Sequence, residues 1–168
     1  MTTPRLSPLK SSARALLWLA AACGLVHAAF SAYWAFGGLW LAETVGQWAL
    51  DWYRSAPASA MAVLLVIAGV KAVVALGPLI NEHRPLPGYR WWRVPGWLGG
   101  AVLLLYGAAN AVGAWLVLAR VVSTTSSDRP ALIGHAALWD PLFALWGALL
   151  LGGLTASRGR RAPASGAA

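Results

Sequence analysis

The sequence predicts an all-α fold: a four-helix transmembrane bundle with both termini cytoplasmic and a short interfacial segment after the first span. Three observations predict it. Charged residues make up 11% of the 168 residues, against roughly 25% in a soluble domain, too few to cover a water-facing surface. The chain is 59% hydrophobic, and its apolar residues gather in four uncharged or singly charged runs long enough to cross a bilayer. Tryptophan is heavily used, with eleven residues, and its amphipathic ring suits the headgroup region of a bilayer.

The net charge of +8 does not point to nucleic acid. The basic residues form short clusters between apolar runs, as membrane flanks do, rather than one basic face. Cys23 is the single cysteine, so no intramolecular disulfide and no thiolate metal site is expected. High Ala, Gly, Arg and Trp with little Lys suits a high-GC bacterial genome, and the expected location is the cell membrane as a multi-pass protein.

Residues 1–13 are polar, with Pro4, Pro8, Arg5 and Lys10, and are expected to be a disordered cytoplasmic tail. The four-span domain occupies 14–157. Its first span runs from about 14 to 36. A basic start before an apolar core also describes a signal peptide, and Ala20-Ala21-Ala22-Cys23 resembles a lipoprotein cleavage box. The apolar run continues well past Cys23, which favours a retained helix. Gly37-Gly38 ends it, as glycine commonly does.

The segment 39–54 carries Trp40, Trp48, Trp52 and Tyr53 among Glu43, Gln47 and Asp51, too polar to span. It reads equally as a short helix on the membrane surface or as an interfacial loop with aromatic anchors. The second span covers about 58–79 and holds one charge, Lys71. A connector over 81–93 brings Arg84, Arg90 and Arg93, with Trp91 and Trp92 at the headgroups. The third span covers about 94–119, a polar turn follows, and the fourth covers about 131–155. Residues 158–168 form a basic tail, expected to be disordered.

Basic residues set the orientation. Arg5, Lys10 and Arg14, then Arg84, Arg90 and Arg93, then Arg158, Arg160 and Arg161 give nine on one side. Arg54, Arg120 and Arg129 give three on the other, with Lys71 set aside. The more basic side is cytoplasmic.

Asp140, followed by Pro141, lies within the fourth span. A carboxylate there costs a few kcal/mol. On a regular helical wheel Asp140 falls on a face of small residues, as do His27 on the first span and Asn110, near Tyr106, on the third. Small faces allow close helix approach and interhelical hydrogen bonding. The three polar groups are therefore expected to meet inside the bundle, in its outer half. His135 precedes Asp140 by five residues, about 140° away, and falls with Trp139 and Trp146 on the bulky side. Whether Pro141 bends His135 back is open. Lys71 either reaches toward Asp140 or snorkels to the inner headgroups.

No nucleotide loop, nucleophile elbow, HExxH or CxxC motif is present, and no cofactor is expected. His27 and Asp140 are the catalytic candidates, as a buried acid–base pair. The expected binding pocket comprises His27, Trp34, Lys71, Tyr106, Asn110, His135, Trp139 and Asp140. Its expected occupant is a lipid or small apolar molecule, with membrane lipids as partners. A membrane-embedded isomerase-like enzyme is the alternative, and small-solute or proton transport through Asp140 and Lys71 ranks last, since no internal repeat supports it.

The stretches His27-Ala-Ala-Phe-Ser-Ala-Tyr-Trp-Ala-Phe-Gly-Gly and Gly134-His-Ala-Ala-Leu-Trp-Asp-Pro-Leu-Phe-Ala-Leu-Trp-Gly resemble domain of unknown function family 3995, small and mostly actinobacterial membrane proteins. The resemblance covers nearly all four spans and implies the four-span topology. It highlights His27, Trp34, Gly38, His135, Trp139 and Asp140, and implies no activity. In site type alone, the set of acidic, His, Asn and Trp residues is also similar to that of sterol-isomerase-like membrane proteins, whose motifs are not matched.

Overall fold

A computed structural model describes residues 9–123 and 128–158. Helix α1 spans Ser11–Ala35, a 3-10 turn Ala42–Thr44, α2 Gln47–Ser55, α3 Pro57–His83 and α4 Tyr89–Leu118. The fourth long helix is continuous but made of three pieces: α5 Arg129–Gly134, a wide π-helical turn His135–Trp139, and α6 Asp140–Ala156. The fold is all-helical, and its four long rods of 25, 27, 30 and 28 residues are long and apolar enough to cross a membrane. At 1.5 Å per residue even the shortest exceeds the roughly 30 Å hydrocarbon layer.

The expected tails at 1–13 and 158–168 fall mostly outside the described residues, as does part of the turn before α5. Spans two and three are longer than apolarity alone indicated. They reach His83 and begin at Tyr89, so the connector shrinks to 84–88. The 39–54 segment combines both readings of it. Its first part is irregular with a 3-10 turn, and its second is the short, unburied helix α2.

Helix α6 packs most extensively on α4 and on α1, and α1 packs on α3. The core lies along the α1–α6 seam, where Leu17, Ala20 and Ala21 meet Trp146, Leu150 and Leu154, with Ala75 and Leu79 of α3 against them. Small residues set the separation. A Cβ on Gly24 would run into the Trp146 ring, and one on Gly107 or Gly147 would meet backbone of the facing helix. The small face expected on α1 is buried, including Gly24, His27 and Ser31, while Trp18, Leu25 and Phe36 face outward.

Gly37 closes α1 with φ +85°. Its N–H reaches the Trp34 carbonyl at 3.0 Å and the Gly38 N–H reaches that of Tyr33 at 3.0 Å, the paired bonds of a Schellman end. The chain then folds back over the end of the bundle, and the 3-10 turn and α2 cover it.

Candidate functional site

The fourth span decides the local geometry. Pro141 has no N–H to give the Ala137 carbonyl, and its ring crowds that carbonyl. The helix answers with the wide turn His135–Trp139 directly before Asp140. A wide turn closes from i to i+5, so residues five apart lie much closer round the helix than in a regular one. His135 thereby comes round to Asp140, with Nδ1 2.9 Å from Oδ2. This corrects the regular-wheel placement, which set His135 about 140° away. Asp140 is 1% exposed, and it pairs with this neighbour on its own helix.

His135 Nε2 lies 3.3 Å from the Val45 carbonyl, which can only accept. Two proton placements satisfy the row. An imidazolium can donate to both sides of itself, to a carboxylate and to the carbonyl. A neutral ring can instead donate from Nε2 to Val45 and accept at Nδ1 from a protonated Asp140. The pair has no net charge in either case, which suits a low-dielectric surrounding.

The same stretch clasps the covering segment. Trp139 Nε1 donates to Thr44 Oγ1 at 2.9 Å. Asp128 accepts from the Ala131 N–H at 3.2 Å, capping α5, and from the Gln47 N–H at 2.8 Å. A Cβ on Gly134 would collide with the Thr44 backbone. The His-Trp-Asp signature thus fastens residues 44–47 to the bundle. From α1, Trp34 Nε1 adds a bond to the Trp40 carbonyl at 3.0 Å.

His27 is buried, but no hydrogen bond joins it to Asp140 among the described residues, so the expected acid–base pair is corrected. Its ring stacks on Phe143 with centroids 3.8 Å apart and planes 14° from parallel. Trp139 lies 5.9 Å from it and Trp146 6.3 Å. His27 Nε2 and Trp146 Nε1 are buried polar atoms without a partner among the described residues. Trp139 and Trp146 are 5% and 1% exposed, not an outer aromatic stripe. The fourth span packs on two helices at once, so both its small and its bulky faces are covered.

Asn110 does not join the others either. It is exposed, and its Nδ2 donates to the Tyr106 carbonyl of its own helix at 3.0 Å. The buried line of α4 runs through Gly96, Gly100, Gly107 and Ala114. Asn110 lies about 60° and Tyr106 about 100° off that line. The Tyr106 side chain is exposed, touching the bundle edge-on at Phe143 with centroids 6.1 Å apart.

Lys71 follows neither expected course. Its Nζ donates to Ser31 Oγ on α1 at 2.9 Å and sits 5.5 Å from the centroid of Phe143. Above it lies a cavity of about 210 Å³ between α1, α3 and the covering segment. Trp34, Trp48, Trp52, Tyr53 and Leu64 are among its walls, and Ser31 and Lys71 are its polar groups toward the bundle interior. Of the eight expected pocket residues, only Trp34 and Lys71 line it. Ser31 was on the expected small face of α1, and Phe143 went unnoticed because no polar atom marks it.

A second polar cluster, at the opposite end of the bundle, was also missed. Glu82 is fully buried. Tyr89 Oη donates to its Oε2 at 2.8 Å, and Arg93 pairs with its other oxygen. Arg93 further donates to Ser157 Oγ at 3.0 Å and to the Leu154 carbonyl at 2.5 Å. Asn81 ties down the connector through the Tyr89 carbonyl and the Leu86 N–H. A lone Glu at the end of one span, with Tyr and Arg opening the next, was the available signal.

Four apolar rods with polar groups held inside define a multi-pass helical membrane protein. Residues 24–150 match the family described as "Protein of unknown function (DUF3995)", more than half of the chain, and the chain belongs to that family. No curated protein and no solved structure matches it.

Proposed function

We propose that this is a non-catalytic binding protein of the cell membrane that holds a lipid or small apolar molecule in the cavity under the covering segment. The orientation that goes with this reading has both termini in the cytoplasm, from the basic-residue bias, so that the covered end lies outside. The observation that carries the reading is an aromatic and aliphatic cavity with convergent polar groups at one side, the usual make-up of a small-molecule site. The exposed Trp48 and Ile67 in its wall leave it open to the surroundings. The enzyme and transport readings have no such support. No hydrogen bond joins His27 to Asp140 among the described residues, neither lines the cavity, and Lys71 bonds Ser31 instead of Asp140.

Native mass spectrometry of the full chain, released from mild detergent after membrane extraction, tests the proposal. A lipid-sized or smaller adduct is expected on wild-type protein. Leu64→Trp, which fills the cavity, is expected to remove it. An adduct that persists unchanged in a folded Leu64→Trp protein refutes the site, and no adduct under any lipid supplementation refutes the function.

A further inference from the structure

We infer that the cavity recognises the carboxylate of a single-chain fatty acid, with Lys71 and Ser31 holding its two oxygens. This rests on the cavity being a binding site. Among the described residues, Lys71 is the one charged side chain in the cavity wall. Among the described residues no carboxylate lies within ion-pair distance of it. Its ammonium has the Ser31 hydroxyl and the face of Phe143 as neighbours. A lysine placed among membrane helices is costly without a counter-charge, and an anionic ligand supplies one.

The donor set selects the kind of anion. Ser31 accepts from Lys71, so its own hydroxyl hydrogen remains to be given. One ammonium and one hydroxyl match a carboxylate, which has a single charge on two oxygens. A phosphomonoester carries about −1.5 to −2, and the wall holds no arginine to balance the excess. The rest of the wall is aromatic and aliphatic. At about 210 Å³ the cavity is smaller than the roughly 300–1,000 Å³ of sites that enclose a whole drug-sized ligand. It accommodates a headgroup and the first part of one chain. The remainder leaves past the exposed Trp48 and Ile67.

The test is equilibrium binding of radiolabelled oleate to the full-length protein in neutral detergent, with oleyl alcohol and oleoyl lysophosphatidic acid as competitors. Oleate is expected to bind saturably and to be displaced at least tenfold less well by oleyl alcohol, which has the same chain without the charge. Lys71→Met should weaken oleate at least tenfold, and Ser31→Ala several-fold, while neither affects the alcohol. Should Lys71→Met fail to fold, Ser31→Ala and the acid–alcohol comparison decide alone. Equal binding of acid and alcohol overturns the headgroup assignment while leaving the apolar site intact. Preference for the lysophospholipid overturns the carboxylate assignment. Saturable binding of none of the three overturns the cavity as a binding site, and this inference with it.

Discussion

At the scale of single residues, Asp140 shows how a membrane helix tolerates a carboxylate. Its solvent is replaced by a His135 nitrogen at 2.9 Å, and His135 is in turn positioned by the Val45 carbonyl. An amide can fill the same place, since its NH₂ donates to Nδ1 of a neutral ring whose Nε2–H still serves Val45. Asp140→Asn should therefore unfold within about 1 kcal/mol of wild type, whereas Asp140→Leu, which strands the ring nitrogen, should cost about 1–3 kcal/mol. Unfolding in mixed micelles by added SDS reads both. Equal destabilisation by the two variants would show that the pairing is not what makes position 140 tolerant. The importance of Asp140 was legible in the sequence, because a charge in an apolar run stands out. Its partner was not. A wheel at 100° per residue cannot describe the wide turn that Pro141 accompanies, and that turn decides which side chains meet. For Asn110 and Tyr106 the failure was of another kind. The small face of α4 was assigned too broadly, and both residues lie at or beyond its edge.

At the scale of elements, the covering segment is held chiefly by the fourth span, with α1 contributing the Trp34–Trp40 bond. Gly134 is the contact point, since its missing side chain lets the Thr44 backbone lie directly on the helix. Gly134→Ala is favourable for helix propensity by about 1 kcal/mol, yet it should loosen the segment. The Trp139–Thr44 and His135–Val45 bonds both need that close approach. A cysteine placed at Ala42, which is 7% exposed in the covering segment, should then react with a water-soluble maleimide several-fold faster in the Gly134→Ala background. An unchanged rate would mean that the segment is anchored elsewhere. The four long helices were readable from apolarity, but the ends of two were not. Apolar runs stop at the first charge. The helices α3 and α4 continue through Glu82 and from Tyr89 because those polar groups satisfy one another inside the bundle.

At the scale of the whole molecule, the bundle is tied at both ends by polar contacts between parts distant in sequence. One tie is the clasp of 44–47 onto the fourth span. The other brings Glu82 of α3, Arg93 of α4 and the end of α6 together through Leu154 and Ser157. Between them, apart from the Lys71–Ser31 bond, the helices meet chiefly through small and apolar residues, where lipid competes on nearly equal terms with protein. The buried Glu82–Arg93 pair then matters less for its net energy than for the arrangement it selects, since removing one partner leaves the other charge without compensation. Arg93→Met is expected to cost about 3–5 kcal/mol, and the double replacement of Glu82 and Arg93 by Met much less than the sum of the singles. The Tyr89 and Ser157 hydroxyls retain other prospects for bonding, Ser157 already donating to the Leu154 carbonyl at 3.1 Å. A cycle of SDS unfolding on wild type, both single variants and the double variant measures the coupling. Coupling above about 2 kcal/mol is expected. Additive singles would mean that the two charges are stabilised separately, and that the helix ends at this side are set by the connector and its Asn81 bonds instead.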